Sequence, residues 1–469
     1  MVLDIALSFN DVADMLNTSN NPDHVITAEH KLLECIQVST KGLNGAQKKV
    51  LSECKVLYGR LIEWKDPETA LESYKESLAL HESYEACLHL ARLNWKLQTA
   101  DMKVIEALLR RAVISLPEGE EEEEAEIILA RLLFQDSRRK YEAMELLNKL
   151  EFDFSVCHRI ACLDLQSFPP VGDESPDCPV HIWDSIFESD MLQFMQSLFA
   201  SDALFWSEHK YNSPGTGYFS YEMPLDSVPV SLLEIAIHKL WQCACKSDSR
   251  ATKSRFVEVW AHSRPHSNGH PLHFDYVVEN DGITPRHPIL SSIAFLDASC
   301  GGPTLVTDQT RTCEITTKGW LIPPKENRFA CFDGRLLHAV LPGVGFTENP
   351  LSKRLTFMAA FWEKDPHAPL LESEAESSWA EDFIKKGVFE NSTDLAVDST
   401  GESVLYVVDV WERVKGNNKK SKLEGIDLLD EECFSCFTPL DSGIVTATSG
   451  ECSLNCGGKC ECCRMKNSS

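Results

Sequence analysis

Leu272-His273-Phe274-Asp275 is the stretch on which the reading of this chain turns. On a β-strand, residues i and i+2 face the same side, so His273 and Asp275 can address one point from one strand end. His338 follows 63 residues after Asp275, in Phe332-Asp333-Gly334-Arg335-Leu336-Leu337-His338, and Arg354 lies 16 residues further on, in Lys353-Arg354-Leu355-Thr356. For His338 to join the pair, a sheet must bring sequence-remote strands side by side. Two imidazoles and one carboxylate form a donor set for a divalent metal ion.

The flanking sequence has the texture of such a sheet. Short β-rich runs alternate with turn signals: Arg255 to Trp260, Leu290 to Leu296, Thr304 to Val306, Arg328 to Phe332 and Arg354 to Trp362. Gly301-Gly302-Pro303 and Pro342-Gly343 punctuate them. Several such strands predict a sandwich or jelly roll. One amphipathic helix is expected around Ser189 to Ala200, and Val404 to Trp411 reads as a strand.

Upstream, residues 1–165 read as helical, with sparse glycine and proline. Glu68 to Leu78 places Leu71, Tyr74 and Leu78 on one helix face. A stretch of small residue, arginine and leucine recurs at Gly59-Arg60-Leu61, Ala91-Arg92-Leu93 and Ala130-Arg131-Leu132, with offsets of 32 and then 39 residues. The acidic run Glu120 to Glu124 fits a loop insertion in the longer interval. A period near ~34 residues with paired helices resembles tetratricopeptide repeats. An irregular helical bundle is the plainer reading; either offers a docking surface for a protein partner. The expected organisation is 1–165 helical, 166–180 linker, 181–366 jelly roll, 367–430 extension and 431–469 cysteine-rich tail: a multidomain α + β protein.

The chain has 469 residues, 43% hydrophobic and 25% charged, enough for more than one domain with a sizeable core. Its formal net charge of −27 repels phosphate backbones and disfavours broad nucleic-acid binding. Met1-Val2-Leu3-Asp4 lacks a basic leader, and no apolar stretch approaches the ~20 residues that span a bilayer. A soluble cytoplasmic protein is expected, with the nucleus as an alternative through the weak basic run Lys415 to Lys422.

Three ligands on one face of an octahedron, His273, Asp275 and His338, leave three positions open, which is the facial triad of non-haem iron(II) oxygenases. Two open positions suit a 2-oxo acid and the third O2. The far carboxylate of 2-oxoglutarate then needs a buried cation. Arg354 supplies a guanidinium fork, and Thr356 adds a hydroxyl on the same face. Lys353 points the other way.

Residues from about 180 to 365 resemble the iron(II)/2-oxoglutarate-dependent dioxygenases, and among them the prolyl 4-hydroxylase-like branch. The resemblance rests on Val257-Glu258-Val259-Trp260, His273-Phe274-Asp275-Tyr276, Ile293 to Leu296 leading into Gly301-Gly302-Pro303-Thr304, and Phe332 to Val340. The chain departs from that branch in carrying Arg354 where lysine is usual, and in a longer gap after His338. The resemblance implies Fe(II), 2-oxoglutarate and O2 as cofactor and cosubstrates, with ascorbate as an optional addition. It implies His273, Asp275 and His338 as metal-binding and catalytic residues. The expected reaction is decarboxylation of 2-oxoglutarate to succinate and CO2 with hydroxylation of a protein side chain, prolyl first. Two rival readings stand beside it. One is a dioxygenase for a small molecule or modified nucleic acid; the other is a non-catalytic helical-repeat interaction protein, in which these histidines and the acid are ordinary sheet residues.

Other features have two readings each. His262, His266, His270 and His287 order the loop before the triad or line a substrate lid; a second metal site at His266 and His270 conflicts with their loop context. Trp260 and Tyr276 shape the pocket or pack the core. Phe205 to Tyr211 and Tyr218 to Tyr221 wall a cleft or support the sheet. In the tail, Cys433, Cys436, Cys452 and Cys456 approximate a four-cysteine structural zinc site, or form a thiol-rich terminus. The other cysteines read as small apolar core residues.

Overall fold

The computed structural model describes residues 12, 22–117, 122–150, 152, 154–168, 170–171, 178–209, 220–279, 284–311, 318–368 and 405–414. The cysteine tail with Cys433, Cys436, Cys452 and Cys456, the basic run Lys415 to Lys422, the greater part of the 367–430 extension, and Tyr211, Tyr218 and Phe219 lie outside the described residues.

Among the described residues the helices that come first are α1 (Pro22–Ile36), α2 (Gly45–Ile62), α3 (Pro67–Leu80), α4 (Tyr84–Leu97), α5 (Met102–Ser115), α6 (Glu124–Phe134) and α7 (Lys140–Lys149). Their starts are written in the sequence. Asn44 and Gln47 close a capping box on α2, Asp66 caps α3 with Pro67 in its first turn, and Ser83 and Asp101 cap α4 and α5. Each cap is worth about 1 kcal/mol. Consecutive helices pack on one another, and each small-Arg-Leu stretch lies in the first helix of a pair. At Gly59 the reason for a small residue is direct: a Cβ would sit 2.5 Å from Cε1 of Tyr74, so only glycine lets α2 and α3 approach this closely. Leu71 and Tyr74 are buried at that contact.

The rest of the described chain is built on strands β1 (Phe154–Val156), β2 (Pro170–Val171), β3 (Val180–Asp184), β4 (Tyr221–Pro224), β5 (Phe256–Pro265), β6 (His270–His273), β7 (Val277–Val278), β8 (Pro285–Arg286), β9 (Leu290–Asp297), β10 (Thr304–Thr307), β11 (Lys318–Ile322), β12 (Arg328–Asp333), β13 (His338–Val340), β14 (Lys353–Trp362), β15 (Leu405–Asp409) and β16 (Trp411–Arg413). Two six-stranded antiparallel sheets dominate, in the orders β2-β15-β11-β10-β13-β6 and β3-β12-β9-β14-β5-β4. From β5 to β14 the chain passes repeatedly between them, which is jelly-roll winding. The architecture is mixed α + β. Pro170–Val171, within the stretch read as linker, adds an edge strand.

Side-chain alternation sorts the layers. On β9, β12 and β14, Ala294, Leu296, Phe329, Cys331, Phe357 and Phe361 face outward against the helices Ser189–Leu198 and Leu232–Ser247. Ile293, Phe295, Ala330, Phe332 and Met358 alternate with them and meet Val306, Trp320 and Ile322 between the sheets. Both faces are buried, so the strands read as nearly continuous apolar runs. No helix among the described residues is long and apolar enough to cross a membrane.

The helical part and the first sheet share one core. Leu305, Leu321, Leu341, Val408 and Val410 lie in the same buried cluster as Leu129, Leu133 and Phe134. Polar ties reinforce it: Arg131 donates to Ser267 O, Gln135 accepts from Gly345 N, and Lys140 pairs with Glu412. Exposing five such side chains at ~1.5–3 kcal/mol each removes on the order of 10 kcal/mol, comparable with a whole domain's ~5–15 kcal/mol. A chain starting at residue 178 is therefore expected to lose its cooperative thermal transition and to bind a hydrophobic dye. A sharp melt near the full-length midpoint would contradict the shared core.

Candidate metal centre

The sheet register brings the triad together. His273 ends β6, His338 opens β13, and the two are direct partners across the strands, with ring centroids 4.2 Å apart. Asp275 follows His273 by two residues. Its Oδ1 lies 3.6 Å from His273 Nε2 and its Oδ2 lies 3.6 Å from His338 Nε2. One ligand atom from each residue falls within 4.8 Å of the other two, the only such three-residue group among the described residues.

Hydrogen bonds fix how these groups present themselves. His273 Nδ1 lies 2.8 Å from Pro271 O, and His338 Nδ1 lies 3.0 Å from Leu336 O. A carbonyl only accepts, so each Nδ1 carries the proton and each Nε2 offers a lone pair inward. Ser291, on β9, donates to Asp275 Oδ2 at 2.6 Å, and His287 Nδ1 donates to the Asp275 carbonyl at 2.7 Å. Two atoms bound to one ion at ~2.1 Å are at most ~4.2 Å apart, and each 3.6 Å contact, made by a different carboxylate oxygen toward each imidazole, lies under that bound. The donor set thus fits a divalent ion such as Fe(II).

Electrostatics point the same way. Burial opposes ionisation of Asp275, but the imidazoles of His338 and His273 and the Ser291 hydroxyl outweigh it, leaving the carboxyl below its ordinary range. Burial, then neighbouring His338, pushes the His273 imidazole down to about 4. A metal must displace any proton from its ligands, and at neutral pH His273 holds none to displace. The His273 contribution to metal binding is therefore expected to be lost only as pH falls below about 5, read as a steepening loss of Mn(II) affinity at fixed ionic strength. Affinity unchanged from about pH 5 down to about 3.5 in folded protein would contradict this. Ser291→Ala should weaken metal binding by about 10–100-fold, the usual loss for a partner that orients a ligand.

Behind the triad lies a cavity lined by Trp260, His262, Arg264, His270, Thr304, Arg354, Thr356 and Met358, among others. Arg354 is 2% exposed. It lies over Gly301, whose φ of +89° and lack of a Cβ leave room for it, and its Nη1 donates to Gly302 O at 2.8 Å. Thr356, two residues on, lines the same cavity, while Lys353 is exposed. Burial, then the charge of Arg264, pushes the Arg354 guanidinium down to about 10. The structure thus brings together His273, Asp275, His338, Arg354 and Thr356.

Other expected residues fall into supporting roles. His266 accepts from Gly301 N and reaches Val344 O, so it orders a loop. Among the described residues neither His266 nor His270 stands within a three-donor cluster that could hold an ion. Trp260 lines the cavity. Tyr276 stacks under Arg311, whose carbon is 4.6 Å from the ring centroid. Phe205 and Tyr221 pack in the outer core beneath the second sheet. Residues not anticipated from sequence are Arg264, Thr304 and Ser291 on cavity-lining strands. Continuing the alternation of β5 from Trp260 through His262 to Arg264 is the signal that would have found the first.

No family model matches the chain, and no curated protein matches it. Among solved structures, the viral collagen prolyl hydroxylase of Paramecium bursaria Chlorella virus-1, in its 2OG complex, is 14% identical over 40% of this chain and 98% of that chain, with a TM-score of 0.25. SnoN, a non-heme alpha ketoglutarate dependent epimerase from nogalamycin biosynthesis, is 10% identical over 52% of this chain and 94% of that one, TM-score 0.24. HygX from Streptomyces hygroscopicus, with iron bound, is 9% identical over 41% and 87%, TM-score 0.21. Likenesses this slight carry no argument; the chain's own residues do.

Proposed function

We propose that this chain is an Fe(II)/2-oxoglutarate-dependent dioxygenase that hydroxylates a protein side chain, with a prolyl residue as first choice. The observation that carries the proposal is one cavity holding both a His273–Asp275–His338 donor set and a buried guanidinium, Arg354. A bound ferrous ion would supply the redox chemistry that couples O2 reduction to oxidation of the 2-oxo acid. The overall balance is R–H + 2-oxoglutarate + O2 → R–OH + succinate + CO2.

The chain's residues have distinct tasks in this reading. His273 and His338 hold the ion through Nε2, and Asp275 holds it through a carboxylate kept ionised at neutral pH. Arg354 and Thr356 take the far carboxylate, which orients the keto-acid end toward the triad. The jelly-roll walls exclude water, so that oxidising equivalents reach the substrate C–H bond. Paired helices with a repeat-like sequence offset, lying against the same sheet, support a docking role for a protein substrate, and the charge of −27 speaks against a nucleic acid.

The test is mass spectrometry of candidate proteins incubated with enzyme, Fe(II), 2-oxoglutarate and ¹⁸O2. One labelled oxygen is expected in the protein substrate and one in succinate. Label entering only small-molecule acceptors would overturn the protein-substrate reading, and no succinate at all would overturn the oxygenase reading.

A further inference from the structure

We propose that the cavity holds its anionic ligand between two opposed guanidinium groups, with Arg264 as a second cosubstrate-binding residue facing Arg354. This rests on the 2-oxoglutarate reading and deepens it. Arg264 on β5 and Arg354 on β14 are direct register partners, and both line the cavity behind the triad. Side chains directly opposite across antiparallel strands have Cβ atoms ~4.5–5.5 Å apart, and like charges there repel.

No carboxylate among the described residues offsets that repulsion. Among the described residues neither arginine is in an ion pair with a carboxylate. Arg264 donates to Gly269 O at 3.2 Å and to His270 Nδ1 at 3.3 Å. Arg354 donates only to Gly302 O. The Nε atoms of both are buried without a partner, and so is the hydroxyl of Thr304 on the same cavity wall. Three unsatisfied polar atoms around one cavity call for a ligand that accepts hydrogen bonds and carries negative charge. A carboxylate does both, its two oxygens serving one guanidinium each.

The bond from Arg264 to His270 adds a link. Arginine only donates, so His270 Nδ1 is unprotonated and its proton sits on Nε2. That neutral ring stands edge to face with the ligand His273, centroids 4.4 Å apart. Arg264 therefore bridges the anion cradle and the metal face without placing a positive charge beside the ion.

A two-cation cradle makes a prediction that needs no metal. Glutarate lacks the keto group that would chelate an ion but keeps the carboxylates. The metal-free full-length protein should bind glutarate in calorimetric titration. Arg264→Met and Arg354→Met should each weaken that binding by about 30-fold or more, and Arg264→Lys should restore part of it. Mn(II) binding measured without any acid should be unchanged in Arg264→Met, and KM for 2-oxoglutarate should rise far more than kcat falls. If Arg264→Met unfolds, as a melting curve would show, Arg264→Gln keeps a donor to Gly269 O and serves instead. Glutarate binding unaltered by loss of Arg264 overturns the proposal. If Mn(II) binds and glutarate does not, the cradle falls and the metal centre stands. If glutarate binds and Mn(II) does not, the oxygenase reading falls and the cradle stands.

Discussion

Asp275→Ala protein is expected to fold, to bind Fe(II) at least ~100-fold more weakly than the parent, exceeding the loss of an outer-shell partner, and to make no succinate. The carboxylate lies between the two imidazoles, 3.6 Å from each Nε2, and is the donor set's one negative charge. Without it two neutral nitrogens remain, and a hard divalent ion held by two imidazoles is poorly retained against water. The fold should survive because the alanine leaves only the Ser291 hydroxyl to find a new partner, a loss of about 1–3 kcal/mol. Equilibrium metal binding and a melting curve read the two halves separately. Full metal affinity in Asp275→Ala would remove the residue from the site.

Arg354→Met is expected to separate stability from function. The guanidinium is 2% exposed and, among the described residues, has no carboxylate partner. Its folded pKa, down at about 10, lies below the ordinary arginine value, so the native state binds this proton less tightly than the unfolded chain does. The sign follows from linkage: the penalty is present at every pH below about 10 and is relieved only as pH rises through that value. A fall from 12.5 to about 10 corresponds to on the order of 3 kcal/mol. Replacing a buried, unpaired charge with an apolar side chain of similar length is often neutral or stabilising. The ligand-free variant should therefore melt at or above the parent's temperature at pH 7.5. Its KM for 2-oxoglutarate should rise by about 30-fold or more, because removing one partner of a buried charge pair costs ~2–5 kcal/mol. A variant that melts earlier and keeps its KM would mark Arg354 as structural.

Much of this site was readable because its chemistry is compressed into short motifs. His273 and Asp275 share a face by the two-residue strand period, and Phe332 to His338 gave the returning strand. Arg354 and Thr356 follow the same period. What escaped reading did so for identifiable reasons. β5 continues past Trp260 to Pro265, but the polar, proline- and glycine-bearing run from Pro265 to Pro271 reads as loop, which hid Arg264. Ser291 meets Asp275 across 16 residues through the packing of β9 against the segment that follows β6 in the other sheet, which local sequence does not specify. The helix Leu232–Ser247 was legible and passed over: Ser231 and Glu234 form a capping box, and Leu233, Ala236, Ile237, Leu240 and Ala244 follow helical spacing. The common core of helices and sheet was hidden because Leu305 and Leu321 face away from the cavity, and a strand buried on both faces does not announce what covers it.

The most direct measurement is optical. Fe(II) and 2-oxoglutarate are added together to the purified full-length protein under strict exclusion of air, and the visible spectrum is recorded. A charge-transfer band that needs all three components, disappears in Asp275→Ala and demands far more 2-oxoglutarate in Arg354→Met is the expected result. Well-folded protein that binds ferrous iron and yet gives no band at saturating 2-oxoglutarate would contradict the assignment of this cavity to a shared metal and 2-oxo acid site.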